Sequence, residues 1–352
     1  MAPSLQRRAR AAGVALSYTD NTGIRREATN ETVEAVLAAM KLPDSAGPEP
    51  GVRVVDADAE VARGFEGEWQ ITLECGGTRE GRGGLPALPA GRHLADLAGH
   101  PTWLIAAPPA LPLPSPGWGV TLPLYGLGGP GGTVGDYADL AEAAAGLAAL
   151  GAGFVGINPV HAGVGADPGR ISPYSPSHRR RFATGHIRPA LRPEPSGGDL
   201  IDYARDLPAR AAALEAEYAA AGRDVAFEAW RKDEGEALER FVTYEALAER
   251  LGPGWSAWPA AFRHPANSQV SDFAHTNEKR RAFHAWLQYR AEAQLRAAAD
   301  AARAAGMEQG LYLDLAVGTD PDGAETWAER ESFAFGVSLG APPDAFSETG
   351  QN

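Results

Sequence analysis

The stretch Gly151–Phe182 reads GAGFVGINPVHAGVGADPGRISPYSPSHRRRF, and its first few residues decide the fold. Phe154–Ile157 is a short apolar run with the length of a strand buried in a parallel sheet. Asn158-Pro159 stops it, because the residue before a proline is pushed out of regular pairing geometry. A long polar loop follows, with His161, Asp167, Arg170, Ser172, Tyr174, Ser175 and arginines at 179–181. In parallel α/β architectures the loop beyond a strand's C-terminal end is where binding and catalysis sit. A tyrosine between prolines, among many hydrogen-bonding groups, suits a sugar. The ring face takes the C–H side of a pyranose while polar groups take its hydroxyls.

Working outward, Gly119–Leu124 reads as a strand and Gly128–Gly132 as a loop. A helix then starts at Thr133 or Asp136 and presents Tyr137, Leu140, Ala141, Ala144 and Leu147 on one face. Strand, helix and strand make a βαβ unit, which requires a parallel sheet. Downstream, helical periodicity covers Leu200–Ala221, Phe227–Leu251 and a long segment with Phe283, Trp286, Leu287, Leu295 and Ala302 on one side. The next strand is read at Leu311–Val317, and a short helix around Ala324–Phe333 follows it.

Upstream, residues 4–12 read as a helix, and a second starts at Thr29 or Asn30 and ends at Pro43. From 51 to 106 the period changes to two. Trp69, Ile71 and Leu73 alternate with polar residues, and Val52–Val55 and Trp103–Ala106 are further strands. Pro108–Gly117 holds five prolines and reads as a stiff boundary. The chain therefore divides into an accessory domain at 1–107 (helical start, then β-rich), a linker at 108–117 and an α/β domain at 118–352. A helical insertion spans 190–305 in the last of these.

Bulk properties narrow the function. The chain has 352 residues, 44% hydrophobic and 22% charged, with a formal net charge of −13. That balance argues against nucleic acid or an anionic membrane as partner and is compatible with a neutral substrate. Cys75 is the single cysteine, which suits a reducing compartment. No signal peptide or membrane-length apolar run is present, so a soluble cytoplasmic protein is expected. Neither HExxH nor CxxC spacing occurs, and the glycine clusters at 128–132 and 163–165 lack a phosphate-cradling pattern. No metal and no cofactor are expected. Asp314, Asp320 and Asp322 lie on or after a strand, where carboxylates can reach substrate hydroxyls or act as a glycosidase pair. Asp-Pro-Asp-Gly is equally ordinary turn chemistry, and both readings stay open.

Asn158-Pro-Val-His161, the Ile171-Ser-Pro-Tyr-Ser-Pro-Ser177 run and the arginines after it resemble the amylomaltase family, the 4-α-glucanotransferases. Trp118–Leu127, Thr133–Leu140, Trp255–Pro259, Trp286–Leu295, Leu311–Trp327 and Gly340–Gln351 match further family segments in order. Two departures stand out: Ala183-Thr-Gly-His186 replaces an asparagine-proline pair, and Ser177-His178 differs mildly. The resemblance implies a (β/α)₈ TIM barrel that moves α-1,4-glucan segments to glucose or maltooligosaccharide acceptors by a retaining double displacement. It implies substrate-binding roles for Ser172, Tyr174, Asp322 and Gln351. The family's nucleophile, acid/base and substrate-distorting carboxylates lie in Arg-Ile-Asp-His, Ala-Glu-Asp-Leu-Gly and His-Asp motifs. None of these occurs here. The expectation is a partial barrel of about three strands plus the helical insertion, with the catalytic residues beyond Asn352 and the chain inactive alone. The alternative is a non-catalytic α-glucan-binding remnant. An interaction protein built on the 199–305 helices ranks last, since no heptad pattern is sustained.

Overall fold

The computed structural model describes residues 4–20, 23–41, 50–60, 65–111, 113–129, 131–195, 197–338, 340–347 and 350. It separates into two compact units, one of residues 1–115 with 334–352, the other Pro116–Phe333.

The first unit opens with helix α1 (Leu5–Ala11), whose N-cap Ser4 accepts a hydrogen bond from the Arg7 backbone. A small antiparallel ribbon follows, β1 (Ser17–Thr19) with β2 (Arg25–Glu27). Helix α2 (Asn30–Met40) starts at Thr29, whose hydroxyl accepts from Thr32 N–H, the expected cap. Pro43, read as its stop, lies outside the described residues. Five strands then build one sheet: β3 (Gly51–Asp56), β4 (Glu68–Thr72), β5 (Thr78–Arg82), β6 (Gly91–Leu97) and β7 (His100–Ala107), in the order β3-β7-β6-β4-β5. Only β3 and β7 run parallel. One face buries Ile71, Ala95, Leu97, Leu104 and Ala106 together with Leu85 and Leu88. Each large side chain so buried contributes roughly 1.5–3 kcal/mol.

In the second unit, β8 (Gly119–Leu122), helix α3 (Tyr137–Ala149) and β9 (Phe154–Ile157) form the expected βαβ unit. Strand β12 (Gly310–Leu313) adds parallel to β9 on its other side, so the sheet runs β12-β9-β8. Between β9 and β12 lie a ribbon, β10 (His161–Ala162) with β11 (His178–Phe182), and four helices. These are α4 (Tyr203–Ala220), α5 (Val225–Leu251, kinked at Gly235), α6 (Ser268–Thr276) and α7 (Glu278–Ala304). Helix α8 (Ala324–Ala328) follows β12.

Val155 and Ile157 are buried on the sheet. On the other pleat face the Phe154 ring lies across Gly119, where a β-carbon would fall 2.4 Å from it. Phe154 also meets Tyr312 edge-on at 6.1 Å. Tyr312 and Leu313 are exposed on the edge strand.

Three expectations need correction. The strand read at Leu311–Val317 covers only Gly310–Leu313. Beyond Leu313 no partner strand is present among the described residues, and Leu315 and Val317 are exposed. β5 and β6, both absent from the sequence reading, complete the first sheet. Helix α6 occupies a stretch between the two long helices that the reading left without an element.

Candidate functional site

The loop that leaves β9 is anchored at its root. Asn158 is buried; its Oδ1 accepts the Leu124 N–H at 2.8 Å and its Nδ2 donates to the Pro159 carbonyl at 2.8 Å. The turn after β8 is thereby tied to the turn after β9. The chain runs out through β10 and returns through β11, and Ser177 N–H closes the base onto the Ala162 carbonyl at 2.8 Å. At the far end Ser172 Oγ accepts the Tyr174 N–H at 3.4 Å. Tyr174 is 59% exposed, a ring standing off the loop.

The segment after β12 is stitched to this loop along its length. The Ala316 N–H donates to His161 Nε2 at 3.2 Å. The Thr319 hydroxyl and the Asp320 N–H both donate to the Pro176 carbonyl, each at 2.8 Å. Ser177 Oγ accepts from Ala324 N–H at 2.9 Å, and its carbonyl from Glu325 N–H at 2.8 Å. Arg170 forms an ion pair with buried Asp320 at 2.8 Å.

The largest tie is Arg179. Its backbone N–H (2.9 Å), Nε (3.1 Å) and Nη2 (2.8 Å) all donate to the Glu325 carboxylate, and its Nη1 donates to the Val317 carbonyl at 3.0 Å. Burial pushes the Glu325 carboxyl up, but the Arg179 hydrogen bonds win and hold it below the ordinary carboxylate range. Burial, with Arg179 nearby, lowers His161, which keeps its Nε2 free to accept.

Asp322 sits in this turn, and its carboxylate is engaged. It accepts from Ser256 N–H at 2.9 Å and Ser256 Oγ at 2.7 Å, while the Asp322 carbonyl takes the Tyr244 hydroxyl at 2.9 Å. Gly254, at φ +88°, passes so close that a β-carbon would meet Asp322 Oδ2 at 2.8 Å, so glycine is required twice over there. Beneath the turn Tyr244, Trp258 and Trp327 pack ring to ring, each nearly or fully buried. The structure thus brings Ser172, Tyr174 and Asp322 onto two loops joined to each other. Gln351 lies outside the described residues, and Asp314 is exposed just past β12. Asp136 is fully buried and caps α3, with a reciprocal bond from Asp136 N–H to the Asp139 side chain.

A cavity of about 370 Å³ lies behind the loop. Ile171, Ser172 and Pro173 line it on one side, and Leu214, Phe241 and Phe283 of the helices on another; Tyr174 does not line it. Glu245 borders it, its carboxyl pushed up to about 8 by burial and by neighbouring Glu249. Glu249 itself is pulled down to about 2: burial opposes this, but Arg280 (2.6 Å) and His284 (3.2 Å) overcome it. Among the described residues no group of three or more His, Cys, Asp or Glu side chains is placed to hold a metal ion. No helix among them is long and apolar enough to cross a membrane.

Sequence reasoning named Ser177 and the arginines at 179–181 but not their role in fastening the loops, and it missed Ser256 and Glu325 altogether. Arg179 and Glu325 lie 146 positions apart, so no local spacing could signal their pairing.

With this geometry in hand, three comparisons bear on function. Residues 122–352 match the family model described as 4-alpha-glucanotransferase. Over its whole length the chain is 34% identical to the 4-alpha-glucanotransferases of Mycobacterium bovis and Mycobacterium tuberculosis, of which it covers 60%. The chain thus spans about 60% of the length of these curated relatives. The crystal structure of amylomaltase from Corynebacterium glutamicum superposes with a TM-score of 0.72 at 26% identity, covering 99% of this chain and 59% of that one. Amylomaltase from Streptococcus agalactiae in complex with acarbose shares the fold at a TM-score of 0.56, covering 67% of this chain and 51% of that one, at 18% identity.

Proposed function

Because this chain belongs to the 4-alpha-glucanotransferase family, we propose that it supplies the sugar-holding part of a glucan-transfer site. The observation that carries the reading is the exposed Tyr174 ring on a loop bolted to the next strand's loop. Both loops sit at the C-terminal ends of the adjacent parallel strands β9 and β12. Such a ring takes the apolar face of a pyranose. Ser172, Asp322 and Gln351 are the proposed hydrogen-bonding partners of an α-1,4-glucan or maltooligosaccharide chain, with glucose as an acceptor. In this reading β8, β9 and β12 are three strands of a (β/α)₈ barrel, the helices at 190–305 an insertion in it, and residues 1–107 an accessory domain.

Transfer with retention needs a nucleophilic carboxylate and an acid/base carboxylate about 5 Å apart across the scissile bond. Three buried carboxylates are already committed, Glu325 to Arg179, Asp320 to Arg170 and Asp136 to Arg188, and Glu245, on the cavity wall, is held neutral by burial rather than ionised as a nucleophile. The motifs that carry the family's reacting carboxylates are absent from these residues. The chain is therefore proposed to bind glucan without breaking it, and a purely glucan-binding role is the second reading the same facts favour. Incubation with maltotriose tests this, and glucose is expected to stay at the level of a no-protein control. Glucose release that disappears in Tyr174→Ala would overturn the assignment of the bond-breaking groups to other residues.

A further inference from the structure

The Ile171–Ser177 segment has few internal hydrogen bonds to fix it, being built from Ser-Pro-Tyr-Ser-Pro-Ser. Prolines carry no N–H, and the two ties inside its tip, Tyr174 N–H to Ser172 Oγ and Ser175 N–H to the Ser172 carbonyl, are both long at 3.4 Å. Its posture must come from outside. The outside contacts converge on the end of the segment, Pro176 and Ser177, and on Arg179 two residues later. Apart from Ser177 N–H, which bonds the Ala162 carbonyl, they reach the same short stretch, Val317 to Glu325.

Among these ties the Arg179–Glu325 pair is the one with directional rigidity. A planar guanidinium donates through Nε and Nη2 to one carboxylate, and the backbone N–H of the same arginine adds a third bond. A fork of this kind fixes orientation as well as distance, which a single-point lysine contact does not. Glu325 is 5% exposed and donates its own N–H to the Ser177 carbonyl, so both ends of the pair touch the loop that carries Tyr174. Arg179 Nη1 reaches past Glu325 to the Val317 carbonyl, on the approach to the Thr319–Gly323 turn. Neither residue points into the cavity behind the loop.

We propose that Arg179 and Glu325 are a positioning pair for glucan binding: they lock the Tyr174 segment to the Asp322 turn so that one sugar chain meets both. The inference rests on the functional reading above and deepens it. Arg179 and Glu325 touch no substrate. They make the contributions of Tyr174 and the turn interdependent, because each holds a fixed place relative to the other.

Calorimetric titration with maltoheptaose tests this, using the full chain, Glu325→Gln, Tyr174→Ala and the double variant, well below their thermal midpoints. Tyr174→Ala is expected to weaken binding about tenfold in the native background. Glu325→Gln alone is expected to weaken it about fivefold and to shrink the further loss from Tyr174→Ala to about twofold. A merely structural pair would lower the thermal midpoint while the two losses stay multiplicative, and that result overturns the proposal. Arg179→Lys, which keeps the charge and loses the fork, serves if Glu325→Gln does not fold and is expected to behave the same way. A native chain that fails to bind overturns the functional reading, and this one with it. A native chain that binds, with Glu325→Gln and Arg179→Lys binding equally well, overturns the positioning role alone.

Discussion

The two larger sheets among the described residues are held in different ways. The five-stranded sheet of residues 51–107 is held by a pattern: side chains alternate, and one face gathers Ile71, Leu97, Leu104 and their neighbours into a dry cluster. The three-stranded parallel sheet carries its loops on polar ties between distant residues, such as Asn158 to Leu124, Arg179 to Glu325 and Ser256 to Asp322. An apolar face tolerates replacement by another apolar residue of similar volume. A buried polar network does not, because removing one partner leaves the other uncompensated. The five-stranded sheet is therefore a robust platform, and the loops beyond β9 and β12 are precise.

The largest effect expected from that contrast is at Asp136. It is fully buried, caps α3 through Ala138 and Asp139 N–H, and receives Arg188 at 2.8 Å and Arg192 at 3.1 Å. Asp136→Ala removes the α3 cap and the fully buried member of the carboxylate cluster facing Arg188 and Arg192, which keep only the less buried Asp139 and Glu142, and is expected to cost about 3–5 kcal/mol. Leu104→Ala in the five-stranded sheet, a fully buried side chain, is expected to cost about 2–4 kcal/mol. Urea unfolding of both variants against the native chain measures the order. A smaller loss at Asp136 would break the distinction between patterned and networked regions.

A lesser effect belongs to Glu245. Its folded carboxyl is raised to about 8, above its ordinary value of 4.5. The contribution of the neutral carboxyl is thus fully present below about pH 4.5 and is lost as pH rises through 8. Glu245→Gln cannot ionise. Relative to the native chain it is expected to gain roughly 3 kcal/mol between pH 5 and pH 8.5. A pH-independent difference in the same unfolding experiment would place the carboxyl in water.

How much was legible in the sequence follows the same division. The βαβ unit was readable because β9 is a continuous apolar run and Asp136 is a helix cap in plain sight. The alternation of Trp69, Ile71 and Leu73 marked β4. Strand β6 was missed for a physical reason. Its buried positions are His93, Ala95 and Leu97, while its other large apolar residue, Leu94, is exposed. His93 is satisfied by accepting Glu74 N–H on Nδ1 and bonding the Pro89 carbonyl through Nε2. Strand β5 is an edge strand of Thr-Arg-Glu-Gly-Arg with no apolar signal at all. Leu311–Val317 erred the other way, since apolar content alone does not make a strand without a neighbour to pair with.

In the site, Ser172 and Tyr174 stood out through the loop's composition. Asp322 stood out through its position after a strand, but nothing local announced that Ser256 would occupy its carboxylate. The arginine triplet was visible as charge. Its division of labour was not: Arg179 goes to Glu325, Arg180 to Glu329 and Arg181 to Glu234. Two partners belong to α8 and its C-cap and the third to α5, and only the fold brings them to the triplet.

These loops are proposed to hold a glucan chain through Tyr174, and calorimetric titration of the native chain with maltoheptaose, repeated with Tyr174→Ala, tests that hold. Saturable binding, weakened about tenfold by the substitution, is the predicted result. Binding that is absent, or present and indifferent to the loss of the ring, would contradict the account.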